Sequence, residues 1–115
     1  MEKIFEQALL YDFYGELLTE HQRIIYEDAV FQDMSLGEIA ELQGISRQGV
    51  HDLIKRCDKI LQDYENKLHL VERFEKSKRK IGEIVTLAQN SNSEADYEER
   101  MKRICELSRE LMKEW

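Results

Sequence analysis

Residues Ser35 to Arg56 read SLGEIAELQGISRQGVHDLIKR, and the order of small, turn, apolar and capping residues in this stretch decides the fold. Ser35 with Glu38 forms a capping box, in which hydroxyl and carboxylate satisfy each other's orphan backbone donors at a helix start. Leu36, Ile39, Ala40 and Leu42 give that helix an apolar side, and Ala40 is small enough for a partner helix to approach. Gly44 stops the helix, because glycine takes the left-handed conformation without a Cβ penalty. Ile45 is expected to plug the turn into the core, and Ser46 to cap the next helix. Val50, Leu53 and Ile54 are spaced to hold that second helix against Ile39 and Leu36. A generic helical hairpin does not require this combination; a helix-turn-helix does. Ser35, Glu38, Ala40, Gly44, Ile45 and Val50 are its scaffold.

Helical signals continue on both sides. Upstream, Ile4, Phe5, Ala8, Leu9, Phe13 and Leu17 recur at helical spacing and predict a first helix over about residues 2–17. Thr19 and Gln22 make a capping box that opens a second helix to about residue 32, with Ile24, Ile25, Ala29 and Val30 facing inward. Downstream, the helix begun at Arg47 shows no stop signal for a long way. A heptad frame fits residues 57–88, with Cys57, Tyr64, Val71, Lys78 and Val85 in one core position and Ile60, Lys67, Phe74, Ile81 and Ala88 in the other. Lys67 and Lys78 violate the frame and allow a break near 66–70 or 76–80. Asn90-Ser91-Asn92-Ser93 reads as a loop, with Ser93 capping a last helix whose first turn holds Glu94 and Asp96. Tyr97, Met101, Ile104, Leu107, Leu111 and Trp115 form its stripe.

The 115 residues contain no proline, five glycines and two cysteines, with 42% hydrophobic and 36% charged residues. That supports a modest core and no strand, so the class is all-α. The organisation expected is a helix-turn-helix head over residues 1–66 and a C-terminal helical extension over 67–115. Cys57 and Cys105 show no metal spacing and both fall on apolar helix faces, which predicts buried free thiols in a reducing compartment. No apolar run is long enough to cross a membrane, and Glu2 and Glu6 interrupt any leader-like start, so cytoplasmic residence without membrane insertion is expected. No phosphate loop, metal cluster or nucleophile–base pair is visible: His21, His51 and His69 stand apart from the cysteines in helical phase. The expectation is a non-enzymatic protein with no cofactor, no metal and no small-molecule substrate.

Net charge is −7. This is the wrong sign for a nucleic-acid binder, but its distribution softens the objection. Residues 1–33 hold eight acids and two bases, 34–61 four of each, and 62–82 four acids and six bases. In a helix-turn-helix the second helix sends its N-terminal residues into the major groove. The candidates are Ser46, Arg47, Gln48, Gly49, His51, Lys55, Arg56 and Lys59. Arg47 suits the two acceptors of guanine and Gln48 the edge of adenine. Lys55, Arg56, Lys59 and the Ser46 hydroxyl suit phosphates, and Gly49 admits close backbone approach. Asp52 is discordant unless it reads a cytosine or pairs with Arg56. A merely solvated helix face would carry the same charges.

Residues Thr19 to about Lys67 resemble region four of bacterial sigma factors. A longer similarity runs through YDFYGELLTEHQR (11–23), SLGEIAELQGISRQGV (35–50) and HDLIKRCDKILQDYENKLHLVERF (51–74), which look like the YlxM family, small helix-turn-helix proteins of Gram-positive bacteria described as DNA-binding. It covers residues 8–76 well. Gly49 stands where the family usually has alanine and His51 where it usually has tyrosine. The resemblance implies a gene beside those of the signal recognition particle, its GTPase and its receptor, and a role in, or regulation of, protein targeting. It also implies a homodimer through the C-terminal helices. Two functions follow as expectations: a DNA-binding regulator presenting two recognition helices, or a protein or RNA partner of the signal recognition particle or its GTPase.

Overall fold

The computed structural model describes residues 3–89 and 96–115. Among them the chain is all-α: α1 (Lys3–Tyr14), a single 3-10 turn (Gly15–Leu17), α2 (Glu20–Val30), α3 (Leu36–Gln43), α4 (Arg47–Leu68), α5 (Leu70–Gln89) and α6 (Tyr97–Glu114). The expected 90–93 loop, the Ser93 cap and Glu94 lie outside the described residues. Asp96 precedes α6 rather than standing in its first turn, which Glu98 and Glu99 occupy. The chain divides into two compact units, Met1–Val71 and Glu72–Trp115.

In the head, α4 is the central element and packs against α1, α2 and α3. Both capping boxes form. Thr19 Oγ1 accepts the Gln22 amide at 3.2 Å while Gln22 Oε1 accepts the Thr19 amide at 2.9 Å. Ser35 Oγ accepts the Glu38 amide at 3.1 Å and Glu38 Oε1 accepts the Ser35 amide at 3.0 Å, which holds the Glu38 carboxyl below its ordinary range. One core cluster joins Ile25, Ile39, Ala40 and Val50, with Leu53 and Ile54 against it. The other joins Tyr14, Leu18, Tyr26, Cys57, Leu61 and Val71.

The second cluster corrects the expected inner stripes. Ile4, Phe5, Leu17 and Ile24 are exposed, and so are Leu36 and Leu42 on α3. Ile25 is buried as expected, but the largest buried side chains of α1 and α2 are Tyr14 and Tyr26. The expected stripes of α1 and α2 contain neither tyrosine. A tyrosine is buried when its hydroxyl finds a partner, and here each does. Tyr26 donates to Asp58 Oδ1 at 2.6 Å, and Gln7 Nε2 donates to the same oxygen at 2.9 Å. Tyr14 donates to Glu65 Oε1 at 2.6 Å. Tyr11 stacks on Tyr26, its hydroxyl bonded to Glu27. The first helix also stops at Tyr14 rather than at 17. Gly15 then lies so close to Tyr11 that an added Cβ would come within 2.8 Å of its ring.

The helix begun at Arg47 ends at Leu68, where His69 takes the left-handed conformation (φ 56°, ψ 29°) and α5 starts at Leu70. The break falls inside the first of the two expected intervals. No break interrupts α5 at 76–80.

The second unit is an antiparallel pair, since Ser77 meets Trp115, Lys80 meets Glu110 and Glu114, and Glu83 meets Arg103. Leu107 and Ser77 are buried between α5 and α6, with Trp115 Nε1 donating to Ser77 Oγ at 2.7 Å and Arg73 over the indole. The ion pairs line one side of the pair. Phe74, Ile81 and Val85 on α5, and Tyr97 and Met112 on α6, are displaced in helical phase toward the other side and are exposed. The heptad positions Phe74, Ile81 and Val85 therefore do not form an internal seam within this unit. Cys57 is buried as expected. Cys105 is not: it is exposed, because its phase on α6 is nearly opposite the buried Leu107.

Candidate nucleic-acid interface

The turn between α3 and α4 is built as its residues require. Gly44 sits at φ 68°, ψ 32°, and its amide donates to Ala40 O, closing α3. Ser46 Oγ accepts the Gly49 amide at 2.9 Å, satisfying one orphan donor at the start of α4. Ile39, Ala40 and Val50 are buried where the two helices meet. Ile45 departs from expectation. It is exposed and packs locally toward Gly49, while its amide bonds Ala40 O. The turn is thus held by backbone geometry and the flanking helices rather than by an inserted side chain.

Beyond this turn the recognition helix runs for 22 residues. Val50, Cys57 and Leu61 define its buried side. Gln48, Asp52, Lys55 and Lys59, at spacings of four, three and four, share the opposite side and are exposed. Ser46, Arg47 and Arg56 are exposed as well, while Gly49 and His51 are half-buried. His51 is therefore less open than its place in the motif suggests.

The side chains are not all poised outward. The Arg47 guanidinium lies back across the first turn of α3, with Nη2 only 2.9 Å from where a Cβ on Gly37 would stand. Gly37 is thus a seat for Arg47, a role that helix-start patterns do not reveal because it depends on two helices meeting. Asp52 does not pair with Arg56. Its Oδ1 accepts from Gln48 Nε2 at 2.8 Å and lies 3.5 Å from His51 Nδ1. Lys59 pairs with Asp63 at 3.2 Å. Lys55 and Lys59 border an open cleft of about 420 Å³ between α4 and α1, which also takes in Lys3, Gln7 and Asp58. Gly49 has a local role too: an added Cβ would stand 3.1 Å from Ser46 Oγ. No group of three or more acidic, histidine or cysteine side chains is arranged to hold a metal among the described residues. No helix among them is long and apolar enough to cross a membrane.

A capped short helix, a left-handed glycine turn, and a long second helix with an exposed N-terminal face define a helix-turn-helix protein. The family is specified by sequence comparison. Residues 1–104 match the YlxM / p13-like helix-turn-helix family, also named UPF0122, and the chain belongs to it. Similar relatives include a UPF0122 protein of Clostridium novyi, 41% identical over 107 residues covering 90% of this chain and 93% of that protein. One from Thermoanaerobacter sp. is 45% identical over 104 residues, covering 90% of this chain and 89% of its own. One from Caldanaerobacter subterraneus is 52% identical over 77 residues, covering 67% and 66%.

Proposed function

We propose that this chain is a DNA-binding regulatory protein that places the start of α4 in the major groove. The observation carrying this reading is that Gly44 turns the chain so that Ser46, Arg47, Gln48, Asp52, Lys55 and Arg56 all remain exposed beyond the α3–α4 contact. Arg47 and Gln48 lead the helix as base readers. Arg47 first leaves its place over Gly37, and Gln48 its bond to Asp52. Lys55, Arg56 and Lys59 serve as phosphate contacts. The exposed apolar side of the α5–α6 pair supports pairing of two copies, which would give a symmetric protein with two recognition helices. Lone helix-turn-helix heads bind weakly; two half-sites a helical turn of about 34 Å apart raise affinity and specificity. We read the protein as a binding protein rather than an enzyme, and as cytoplasmic, consistent with the free thiol of Cys57.

The test is titration of genomic duplex fragments at two salt concentrations, with mass in solution measured in parallel. Binding should weaken steeply with salt, and Lys55→Ala should reduce the slope of log K against log salt by about 0.9, the value for one lost phosphate contact. No salt-sensitive duplex binding at low ionic strength would overturn the reading.

One observation favours a second reading. Residues 1–71 contain fourteen acids and seven bases, so the head carries all of the net negative charge. A surface of that sign suits a basic protein partner better than a polyanion. In this reading the chain binds the signal recognition particle or its GTPase, as the gene context implied by the YlxM resemblance suggests. Co-elution of the particle with purified chain supports it; absence of co-elution removes it.

A further inference from the structure

The break between α4 and α5 is not demanded by the residues around it. Asn66-Lys67-Leu68-His69-Leu70-Val71-Glu72 contains neither glycine nor proline, and His69 is in the left-handed region where non-glycine residues are strained. In an unbroken helix the Leu70 and Val71 amides would donate to the carbonyls of Asn66 and Lys67. Here they are taken by side chains of the head. The Tyr14 hydroxyl accepts the Leu70 amide at 3.1 Å, and Glu65 Oε1 accepts the Val71 amide at 3.0 Å. The same Glu65 oxygen accepts the Tyr14 hydroxyl at 2.6 Å, so the two acceptors are locked together. The His69 amide closes α4 on Glu65 O at 2.8 Å. Val71 is buried and Leu70 packs against the cluster containing Tyr14. All of these groups belong to the head.

We propose that Tyr14 and Glu65 form a latch that holds open a break in what local sequence would make one helix, so that residues 68–71 are a two-state hinge between the recognition helix and α5. Both states satisfy the same two amides: one through Tyr14 and Glu65, the other through Asn66 and Lys67. They differ in the strain at His69, which favours fusion, and in the burial of Leu70 and Val71, which favours the break. A ligand of the second unit that prefers a fused helix would shift the balance by its differential affinity alone. The hinge does not depend on what the recognition helix binds.

Backbone carbon shifts and the HN–Hα coupling of His69 in the isotope-labelled full-length chain read the state directly, because a fused helix would put this residue in the right-handed region. The chain without latch substitutions should show left-handed values for His69. Tyr14→Phe should move them toward α-helical values, and Glu65→Ala should do so even if Tyr14→Phe fails to fold. A move toward helical values in a folded latch variant supports the hinge. Helical values already dominant without the substitutions, or left-handed values unchanged in every folded latch variant, overturn it.

Discussion

Gly44 shows what a single residue contributes to this head. It is in the left-handed region with no atom near the position of an added Cβ, so substitution there costs backbone strain and nothing else. Gly44→Ala should destabilise the head by about 1–2 kcal/mol, read as a lower urea midpoint with an unchanged m-value. Gly49 gives the opposite expectation. It stands in the first turn of α4 in ordinary helical geometry, where alanine gains up to about 1 kcal/mol of helix propensity. Against this, the new Cβ would meet Ser46 Oγ at 3.1 Å. Ser46 is exposed and can shift by the few tenths of an ångström needed. Gly49→Ala should therefore raise the urea midpoint, by less than the full propensity difference. A lower midpoint would show that the Ser46 cap cannot relax.

The short α3 makes the same point for a whole element. Eight residues are too few to hold a helix by propensity alone, so its ends and its buried side must do so. The capping box fixes the start, Gly44 fixes the end, and Ile39 with Ala40 provide the buried side. Ser35→Ala removes the acceptor of the Glu38 amide and should cost about 1 kcal/mol. Amide exchange in α3 should quicken more than in α4, which is nearly three times as long and packs on three helices. Equal acceleration in both would mean that the two helices open together.

The head of the molecule is stitched by buried tyrosines, and this sets its response to alkali. Burial, reinforced by bonds to Glu27 and Glu65 respectively, raises the Tyr11 pKa to about 12 and raises that of Tyr14. Burial and Asp58 raise that of Tyr26, and burial with the nearby Asp58 charge pushes the Cys57 thiol up to about 11. In the unfolded chain these groups lose their protons near their ordinary values of 10.0 and 9.0, earlier than in the folded one. Above that point the unfolded state binds fewer protons, so stability declines as pH rises. The contribution is whole below pH 9 and is lost as pH climbs through 9 and 10 toward 12. Urea midpoints should be level up to about pH 8.5 and then fall, less steeply in Tyr11→Phe. A midpoint that stays level through about pH 11 would show that the tyrosines are not held neutral by the fold.

The helical class, both capping boxes, the glycine stop, the Ser46 cap and the exposed row of Gln48, Asp52, Lys55 and Lys59 are all legible in the linear chain. Each depends on interactions within a few residues or on helical period, which a linear pattern records. Tertiary packing was needed to add Tyr14 and Tyr26 to the core, because they are buried by acceptors 51 and 32 residues away. It also decided that Arg47 rests on Gly37 and that Ile45 and Cys105 face outward. Of the two intervals where a break was expected, packing selected the first for the same reason: Tyr14 reaches across from α1 to take the Leu70 amide, which a continuous helix would have kept. A partner that far along the chain leaves no periodic trace, so its effect exists only once the helices have packed.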